Sequence, residues 1–223
     1  LFCFGTWLQP TSFIPMLLAI LIATTITISL AVSCYIYDYS GLYTLHWLDS
    51  VSIAQHIHIV NIHAGFDETS NLLQHRYPTA TLRIFDFYDP TKHTEVSIKR
   101  ARKLYPCDSS TEHITTRAVP LQANSTDVIF TIFATHEIRN RDERITFLAQ
   151  LQNSLQHEGK CIVVEHLRDV PNFLIYTIGV FHFFSKREWL ANFSAAGFIT
   201  EQEIKITPFI SAFVLQKDHG YTS

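Results

Sequence analysis

Histidine and carboxylate side chains occur together after two apolar segments in the second half of the chain. His136 and Glu137 follow the apolar run Asp127–Phe133, and Glu165 and His166 stand at the end of the next run. Imidazole and carboxylate groups are the residue types that donate and accept protons in general acid/base catalysis. We therefore predict His136, Glu165 and His166 as catalytic residues. The alternative for any single histidine is a polar residue that satisfies loop backbone.

The first apolar run leads into a short loop with the features of a cofactor-binding turn. The segment Ile59–Asp67 reads I-V-N-I-H-A-G-F-D, with Gly65 as its glycine. In open α/β sheets, ligands bind where a strand enters such a loop and then a helix. The glycine pattern G-x-G-x-x-G of nicotinamide sites is absent from this loop. Asp86, at the end of the next strand, can accept hydrogen bonds from both hydroxyls of a ribose, whereas Asp89 suits a turn or a helix cap.

Neither the histidines near the first strand nor the cysteines predict a metal site. His63 lies five residues after His58, and this spacing places the two on opposite faces of a strand, with no carboxylate partner evident for them or for His56. The cysteines show no pairing motif and predict reduced, mostly buried thiols. They are Cys3, Cys34, Cys107 and Cys161.

The elements that must position these residues follow from an alternation of apolar runs with amphipathic stretches. This alternation is typical of βα units around a largely parallel sheet. The candidate strands are His58–Ile62, Thr81–Phe87, Ile114–Val119, Asp127–Phe133, Lys160–Glu165, Ile199–Ile206 and Phe209–Gln216. The candidate helices are Pro90–Leu104, Arg141–Leu155 and a third one that begins at the capping box Ser185–Glu188 and ends before Gly197. Only Thr207 and Pro208 separate the last two strands, which predicts an antiparallel hairpin at the sheet edge.

Length and charge restrict the class of protein. A chain of 223 residues is long enough for one domain with an appendage. Its 17 basic and 20 acidic residues leave a formal net charge of -3. A nucleic-acid-binding domain usually carries a basic patch, so we expect no nucleic-acid partner.

The N-terminal part of the sequence predicts a membrane anchor. Residues 1–37 contain no charged side chain, and the apolar stretch Leu17–Ile36 would span about 30 Å as a helix. We predict a transmembrane helix over about residues 15–37, and the alternatives are a buried core helix or a signal peptide. Tyrosines and Trp47 follow, as in an aromatic belt at the membrane surface. We place a linker at 38–50, a globular domain at 51–218 and a tail at 219–223.

Five segments of the chain resemble the class I S-adenosylmethionine-dependent methyltransferases. Asn124–Phe130 is similar to that family's fourth-strand motif, and Leu155–Lys160 is similar to the turn before its fifth strand. Three further segments look like a subgroup of bacterial methyltransferase-domain proteins with hydrophobic N-termini: Ala134–Arg139, Val164–Phe173 and His182–Ser185.

The resemblance implies the fold and the cofactor. The fold would be α/β and Rossmann-like: a doubly wound, mostly parallel seven-stranded sheet with a C-terminal antiparallel hairpin, preceded here by the transmembrane helix. The cofactor would be S-adenosylmethionine, held by Asn61, His63, Ala64, Gly65, Asp67, Asp86 and Phe87. The family's acidic residue on the first strand is Asn61 here, and two of its glycines are replaced by His63 and Asp67.

These features lead to competing functional hypotheses. The first is a membrane-anchored methyltransferase with a cytoplasmic catalytic domain and a small or lipid-soluble acceptor. The second is a non-catalytic membrane-tethered binding or scaffold module with a degenerate cofactor site. A nicotinamide oxidoreductase is a distant third. The segment after the fifth strand is rich in aromatic residues: Phe173, Tyr176, Phe181, Phe183 and Phe184. Such residues can line an acceptor pocket, pack in the core or contact the bilayer.

Overall fold

A central sheet of seven strands organises the protein in the computed structural model, which describes residues 13–54, 57–93, 96–106 and 108–220. The strands are β1 (His58–His63), β2 (Thr81–Asp86), β3 (Thr111–His113), β4 (Thr126–Ile132), β5 (Leu155–His166), β6 (Phe198–Thr207) and β7 (Ile210–Lys217). Their order is β3-β2-β1-β4-β5-β7-β6. The first five strands run parallel, and β7 pairs antiparallel with both β5 and β6. The predicted mostly parallel sheet with a terminal hairpin is therefore confirmed.

Six α-helices accompany the sheet in the described part of the chain: α1 (Phe13–Cys34), α2 (Ser70–Arg76), α3 (Val96–Leu104), α4 (Arg141–Ser154), α5 (Val170–Tyr176) and α6 (Lys186–Ala195). The predicted cap of α6 is present, since Ser185 Oγ accepts a hydrogen bond of 3.2 Å from the backbone N–H of Glu188. Gly197 follows that helix with φ +82°, a left-handed conformation that glycine adopts without steric cost.

Two element predictions were wrong in their bounds. The third strand is Thr111–His113 and not Ile114–Val119, because β3 pairs only with the last residues of β2 and β2 ends at Asp86. Beyond that point the backbone has no neighbouring strand. The predicted helix Pro90–Leu104 begins later, at Val96. Residues 89–93 form a turn in which the Asp89 carboxylate accepts a hydrogen bond of 2.9 Å from the N–H of Thr91.

Apolar side chains fill both faces of the sheet. Helices α4 and α6 cover one face, where Phe147 and Trp189 are fully buried. The opposite face is covered by α2 together with the segment that follows α1. Parallel sheets require cover on both faces, because their strands carry apolar residues on both sides.

The segment 38–50, expected to be a linker, contributes to this second face. It forms two short 3₁₀-helices, Leu42–Thr44 and His46–Ser50. Leu42, Leu45 and Leu48 are at most 2% exposed. Leu45 joins the two helices in a left-handed conformation with φ +57°, and all three leucines pack in the apolar cluster on this face of the sheet.

Helix α1 has the length and composition of a membrane span. It is 22 residues long, none of its residues is buried, and it continues into a π-helical turn at Tyr35–Tyr39. Of the cysteines, Cys34 at the end of this helix is exposed and Cys161 in β5 is buried. Cys3 and Cys107 lie outside the described residues, as does His56.

Candidate active site

The loop after β1 is shaped by its own polar side chains. Asn61 is buried in β1 and its Nδ2 donates hydrogen bonds to Thr69 Oγ1 at 3.0 Å and to Ser70 Oγ at 2.8 Å. Asp67 Oδ1 accepts from the backbone N–H groups of the same two residues, at 3.0 and 2.9 Å. Asp67 therefore satisfies free N–H groups at the start of α2, in the manner of a helix cap.

The backbone conformation and the close packing at Gly65 both require a glycine. Its φ is +100°, and a Cβ at this position would lie 2.7 Å from the Tyr88 ring. Neighbouring His63 is buried at the end of β1, and its Nε2 has no hydrogen-bond partner within the described residues. Burial lowers the pKa of His63, because a charged imidazole loses its hydration there.

Asp86 ends β2 directly beside His63 and is fully buried. Its Oδ1 accepts a hydrogen bond of 2.9 Å from the N–H of Tyr88, and its Oδ2 lies 2.6 Å from Nη1 of Arg102 on α3. Burial opposes ionisation of this carboxyl, but the Arg102 hydrogen bond and the nearby His63 outweigh it and hold the pKa of Asp86 below its usual value. Arg102 thus lies against the carboxylate edge that a ribose would use.

A cavity of about 440 Å³ opens at the carboxyl ends of β1, β4 and β5. We call it the main cavity. His63 and Ala64 line it from β1, Phe133 from β4 and His166 from β5. The segment after α1 closes one side, where Tyr43 donates a hydrogen bond to Glu68. The main cavity is therefore at the edge of the sheet where ligands of such folds bind.

His136 is fixed in the main cavity by Glu165. Glu165 is 1% exposed, and its two oxygens accept from the His136 backbone N–H at 3.1 Å and contact His136 Nδ1 at 2.7 Å. Burial disfavours a charge on His136, but the carboxylates of Glu165 and Glu137 outweigh it and raise the pKa of His136 to about 10. Glu165 itself does not line the cavity, so it positions His136.

His166 lies in an aromatic cage on the other side of the main cavity. Its ring stacks between Phe133 and Phe183, with ring centroids 5.2 and 4.9 Å away. Its Nε2 is 3.2 Å from the Tyr37 hydroxyl, and its Nδ1 is 3.1 Å from the Phe209 carbonyl oxygen. Burial lowers the pKa of His166 to about 4, so the ring is neutral near pH 7.

A second cavity, which we call the side cavity, lies next to the main one and measures about 700 Å³. Phe87 and Tyr88 line it from the end of β2, and Thr116 lines it from the connection to β4. Glu137 lines both cavities. Asp86 lines neither cavity and lies between His63, which borders the main cavity, and Phe87, which borders the side cavity.

The predicted site residues fall into three groups. His63, Ala64, His136 and His166 line the main cavity, and Phe87 lines the side cavity. Gly65, Asp86 and Glu165 line neither cavity but contact residues that do: Gly65 and Asp86 contact His63, and Glu165 contacts His136. Asn61 in β1 and Asp67 in the following loop both bond to the start of α2, and neither lines a cavity.

The residues of the aromatic stretch after β5 differ in their surroundings. Tyr176 and Phe183 line the main cavity, whereas Phe173 and Phe181 are exposed. Phe184 is buried against the Arg144 guanidinium, which lies 3.9 Å from its ring centroid. Each of the proposed roles of this stretch therefore has a residue that fits it.

Sequence reasoning missed several residues of the site. Tyr37 and Glu68 line the main cavity, His182 lies beside Glu137, and Arg102 covers Asp86. None of them belongs to a short motif around the catalytic candidates. The signal available was weak: Tyr37 and His182 each stand in aromatic segments, which predicts burial more than chemistry.

Comparison with known proteins supports the fold. No protein-family model matches the sequence. No curated protein matches it. Among solved structures, an S-adenosylmethionine-dependent methyltransferase from Aquifex aeolicus superposes with a TM-score of 0.55 at 14% identity, over 80% of this chain and 93% of the other.

Two further solved structures are similar. One is an O-methyltransferase family 2 protein from Planctomyces limnophilus in complex with apigenin, with TM-score 0.57 and 13% identity, over 86% of this chain and 61% of that longer one. The other is a geranyl diphosphate C-methyltransferase from Streptomyces coelicolor with Mg²⁺, geranyl diphosphate and S-adenosyl-L-homocysteine, with TM-score 0.56 and 10% identity, over 80% and 79% of the chains. The chain therefore has the class I S-adenosylmethionine-dependent methyltransferase fold.

Proposed function

We propose that the protein is a membrane-anchored S-adenosylmethionine-dependent methyltransferase that modifies a small or lipid-soluble acceptor. The observation that carries this proposal is the pair of neighbouring cavities at the carboxyl ends of β1, β2 and β4, in a sheet with the methyltransferase strand order. Ligands of open α/β sheets bind at this edge. Because S-adenosylmethionine is made in the cytosol, we propose that the catalytic domain faces the cytoplasm.

The residues present fit this cofactor. Gly65 keeps the loop after β1 close to Tyr88, where a side chain would collide. His63 lines the main cavity, and its buried Nε2, which has no partner among the described residues, would find one in a bound ligand. Asp86 would accept hydrogen bonds from the ribose in place of the one from Arg102, and Phe87 offers an apolar wall for the base in the side cavity. Asn61 and Asp67 would act by holding the loop and α2 in place.

Bound S-adenosylmethionine would supply an electrophilic methyl group on its sulfonium sulfur. The protein's task is then to hold the acceptor in line with the S–CH₃ bond, away from water. His136 and His166 line the main cavity from β4 and β5, so we place the acceptor between them. Glu165 keeps the His136 ring in position.

An apolar acceptor is favoured by the surroundings of the main cavity. Ser33 at the end of α1 lines it, and α1 packs beside α5. Helix α5 and the following turn carry a group of large apolar side chains that are more than half exposed: Val170, Phe173, Leu174, Ile178 and Phe181. A group of exposed apolar side chains in one segment is typical of a membrane or partner contact. An acceptor dissolved in the bilayer would reach the cavity along this surface.

The cofactor assignment predicts opposite effects of two substitutions on the affinity for S-adenosylhomocysteine. Asp86→Ala removes a charged hydrogen-bond acceptor and should weaken binding by about 1.5–3 kcal/mol, which is roughly tenfold to a hundredfold. Arg102→Ala should strengthen binding, because Arg102 competes for Asp86 Oδ2. Calorimetry of the full chain in detergent micelles measures both.

The matched control for these variants is Arg83→Ala, whose exposed side chain pairs with Glu112 away from both cavities. Unchanged affinity in Asp86→Ala would remove Asp86 from the site. A failure of the wild-type chain to bind would instead favour the non-catalytic scaffold.

The anchor predicts that the full chain fractionates with membranes and resists extraction by alkaline carbonate. Helix α1 is 22 residues long with no buried residue, which is enough to cross the hydrocarbon core. Replacing Leu21 and Ile22 by arginine should release the protein, since each charge in the bilayer centre costs about 2.5–3.5 kcal/mol. Release of the wild-type protein by carbonate would contradict the anchor.

A further inference from the structure

We propose that His136, Glu137 and His182 form a binding site for a divalent first-row transition-metal ion, with Zn²⁺ as the best match. The potential ligand atoms of the three side chains lie within 4.8 Å of one another. Glu137 Oε1 is 3.3 Å from His136 Nε2 and 3.8 Å from His182 Nε2. Ligands that bind zinc tetrahedrally at about 2.0–2.2 Å are separated by about 3.3–3.6 Å. Side-chain adjustments below about 1 Å would therefore close the site.

His136 already has the carboxylate partner that a metal-binding histidine usually has. His136 Nδ1 faces Glu165 Oε2 at 2.7 Å, and Glu165 is almost fully buried. A carboxylate on one ring nitrogen fixes the tautomer and ring orientation and leaves the other nitrogen for the ion. The nitrogen left over is Nε2, which is the one directed at Glu137.

Arg139 connects the two segments that carry the ligands. Its Nη1 donates hydrogen bonds to the carbonyl oxygen of His136 at 3.1 Å and to that of His182 at 2.7 Å. The turn after β4 and the turn after α5 are thereby held at a fixed separation. This bridge joins His182, far away in the chain, to the pair that follows β4.

The type of ion follows from the ligands and from their exposure. Two imidazoles and one carboxylate suit Zn²⁺, Fe²⁺ or Mn²⁺ and do not suit Ca²⁺, which prefers oxygen ligands. All three side chains line the main cavity, and each remains partly exposed. Three protein ligands with a position open to a cavity are typical of catalytic zinc sites, whereas structural sites are closed by four.

The open position faces the space where we place the methyl acceptor, and this part of the inference rests on the proposed function. An ion there would bind an acceptor that carries a hydroxyl group and lower the pKa of that hydroxyl, so that it loses its proton to solvent water more readily. The oxygen would then form a bond to the methyl carbon as the S–CH₃ bond breaks, and S-adenosylhomocysteine would leave. The substrate class is then an amphiphile with an apolar body and a hydroxyl at the methylated end.

Titration of the metal-free full chain with Zn²⁺ alone tests the site. The protein is purified in detergent without a histidine tag, and binding is followed by calorimetry, with Co²⁺ absorption as a second readout of tetrahedral coordination. We expect one ion per chain, binding at least tenfold weaker in His182→Ala and in Glu137→Gln, and unchanged binding in the control His75→Ala, which removes an exposed histidine of α2. Glu165→Gln should weaken binding by roughly 10–100-fold, because the Glu165 carboxylate orients the His136 ring.

Two outcomes overturn the inference: absence of stoichiometric Zn²⁺ binding, or equal affinity in wild type, His182→Ala and Glu137→Gln. Circular dichroism of each variant confirms that it is folded, and His182→Gln replaces the alanine variant if that one is not. Binding of S-adenosylhomocysteine is measured separately without metal. Cofactor binding without Zn²⁺ binding refutes only the metal site, and Zn²⁺ binding without cofactor binding refutes only the proposed function.

Discussion

His136→Ala should reduce methyl transfer by roughly 10²–10⁴-fold while leaving the affinity for S-adenosylhomocysteine unchanged. His136 lines the main cavity, and Glu165 holds both its backbone N–H and its ring. A side chain fixed this firmly contributes to catalysis by orientation, whether it contacts the acceptor directly or through an ion. The loss should therefore appear in turnover and not in cofactor binding.

The measurement uses full-length protein and S-adenosylmethionine carrying a radioactive methyl group. Transfer is followed into a lipid extract, because the acceptor is proposed to be lipid-soluble. His75→Ala serves as the control for loss of an exposed histidine. Glu165→Gln should reproduce part of the His136→Ala defect, since it loosens the ring without removing it. Wild-type turnover in His136→Ala would place the active site elsewhere, and an equal loss of cofactor affinity would indicate a structural role for His136.

A second large effect concerns the dependence of stability on pH, through His166. The folded-state pKa of His166 is lowered from 6.5 to about 4 by burial. A group with a lowered folded pKa binds its proton more readily in the unfolded chain. Its contribution to stability is therefore complete above pH 6.5 and is lost as the pH falls towards 4, by up to about 3 kcal/mol.

The titratable groups around His166 are Tyr37 and Tyr176, with His136 and Asp169 close enough to influence its charge. Other residues also titrate in this range, so the difference between wild type and His166→Gln is the informative quantity. We expect the free energy of unfolding to fall less steeply with decreasing pH in His166→Gln. Denaturant unfolding in detergent at several pH values, with His75→Gln as the control, measures it. Equal slopes in wild type and His166→Gln would contradict a neutral, buried His166.

Local sequence patterns determined most of the architecture. Alternating apolar runs located the strands, the Ser185–Glu188 capping box located α6, and the short turn at Thr207 and Pro208 set the hairpin. These features depend on residues close together in the chain, so periodicity and capping chemistry reveal them. The third strand was misplaced because its position does not depend on neighbouring residues in the chain. Its bounds depend on where β2 ends, and that is a property of the partner strand.

The candidate site was determined only in part by the sequence. Parallel strands end on the same side of a sheet, so residues at their carboxyl ends come together at one edge. The strand pattern therefore predicted that His63, Asp86, His136 and His166 lie at the same edge. The sequence could not show that Arg102 covers Asp86 or that Tyr37 reaches His166. Those contacts depend on how α3 and the segment after α1 pack against the sheet.

Two further features of the protein depend on tertiary structure alone. Leu42, Leu45 and Leu48 cover a sheet face that α2 by itself leaves open, and so turn an expected linker into core. His182 lies beside Glu137, and Arg139 links the two turns that carry them. Sequence spacing encodes contacts within one helix or strand, through their repeats of 3.6 and 2 residues. Contacts between distant segments arise only when a shared sheet and its packing bring those segments to the same place.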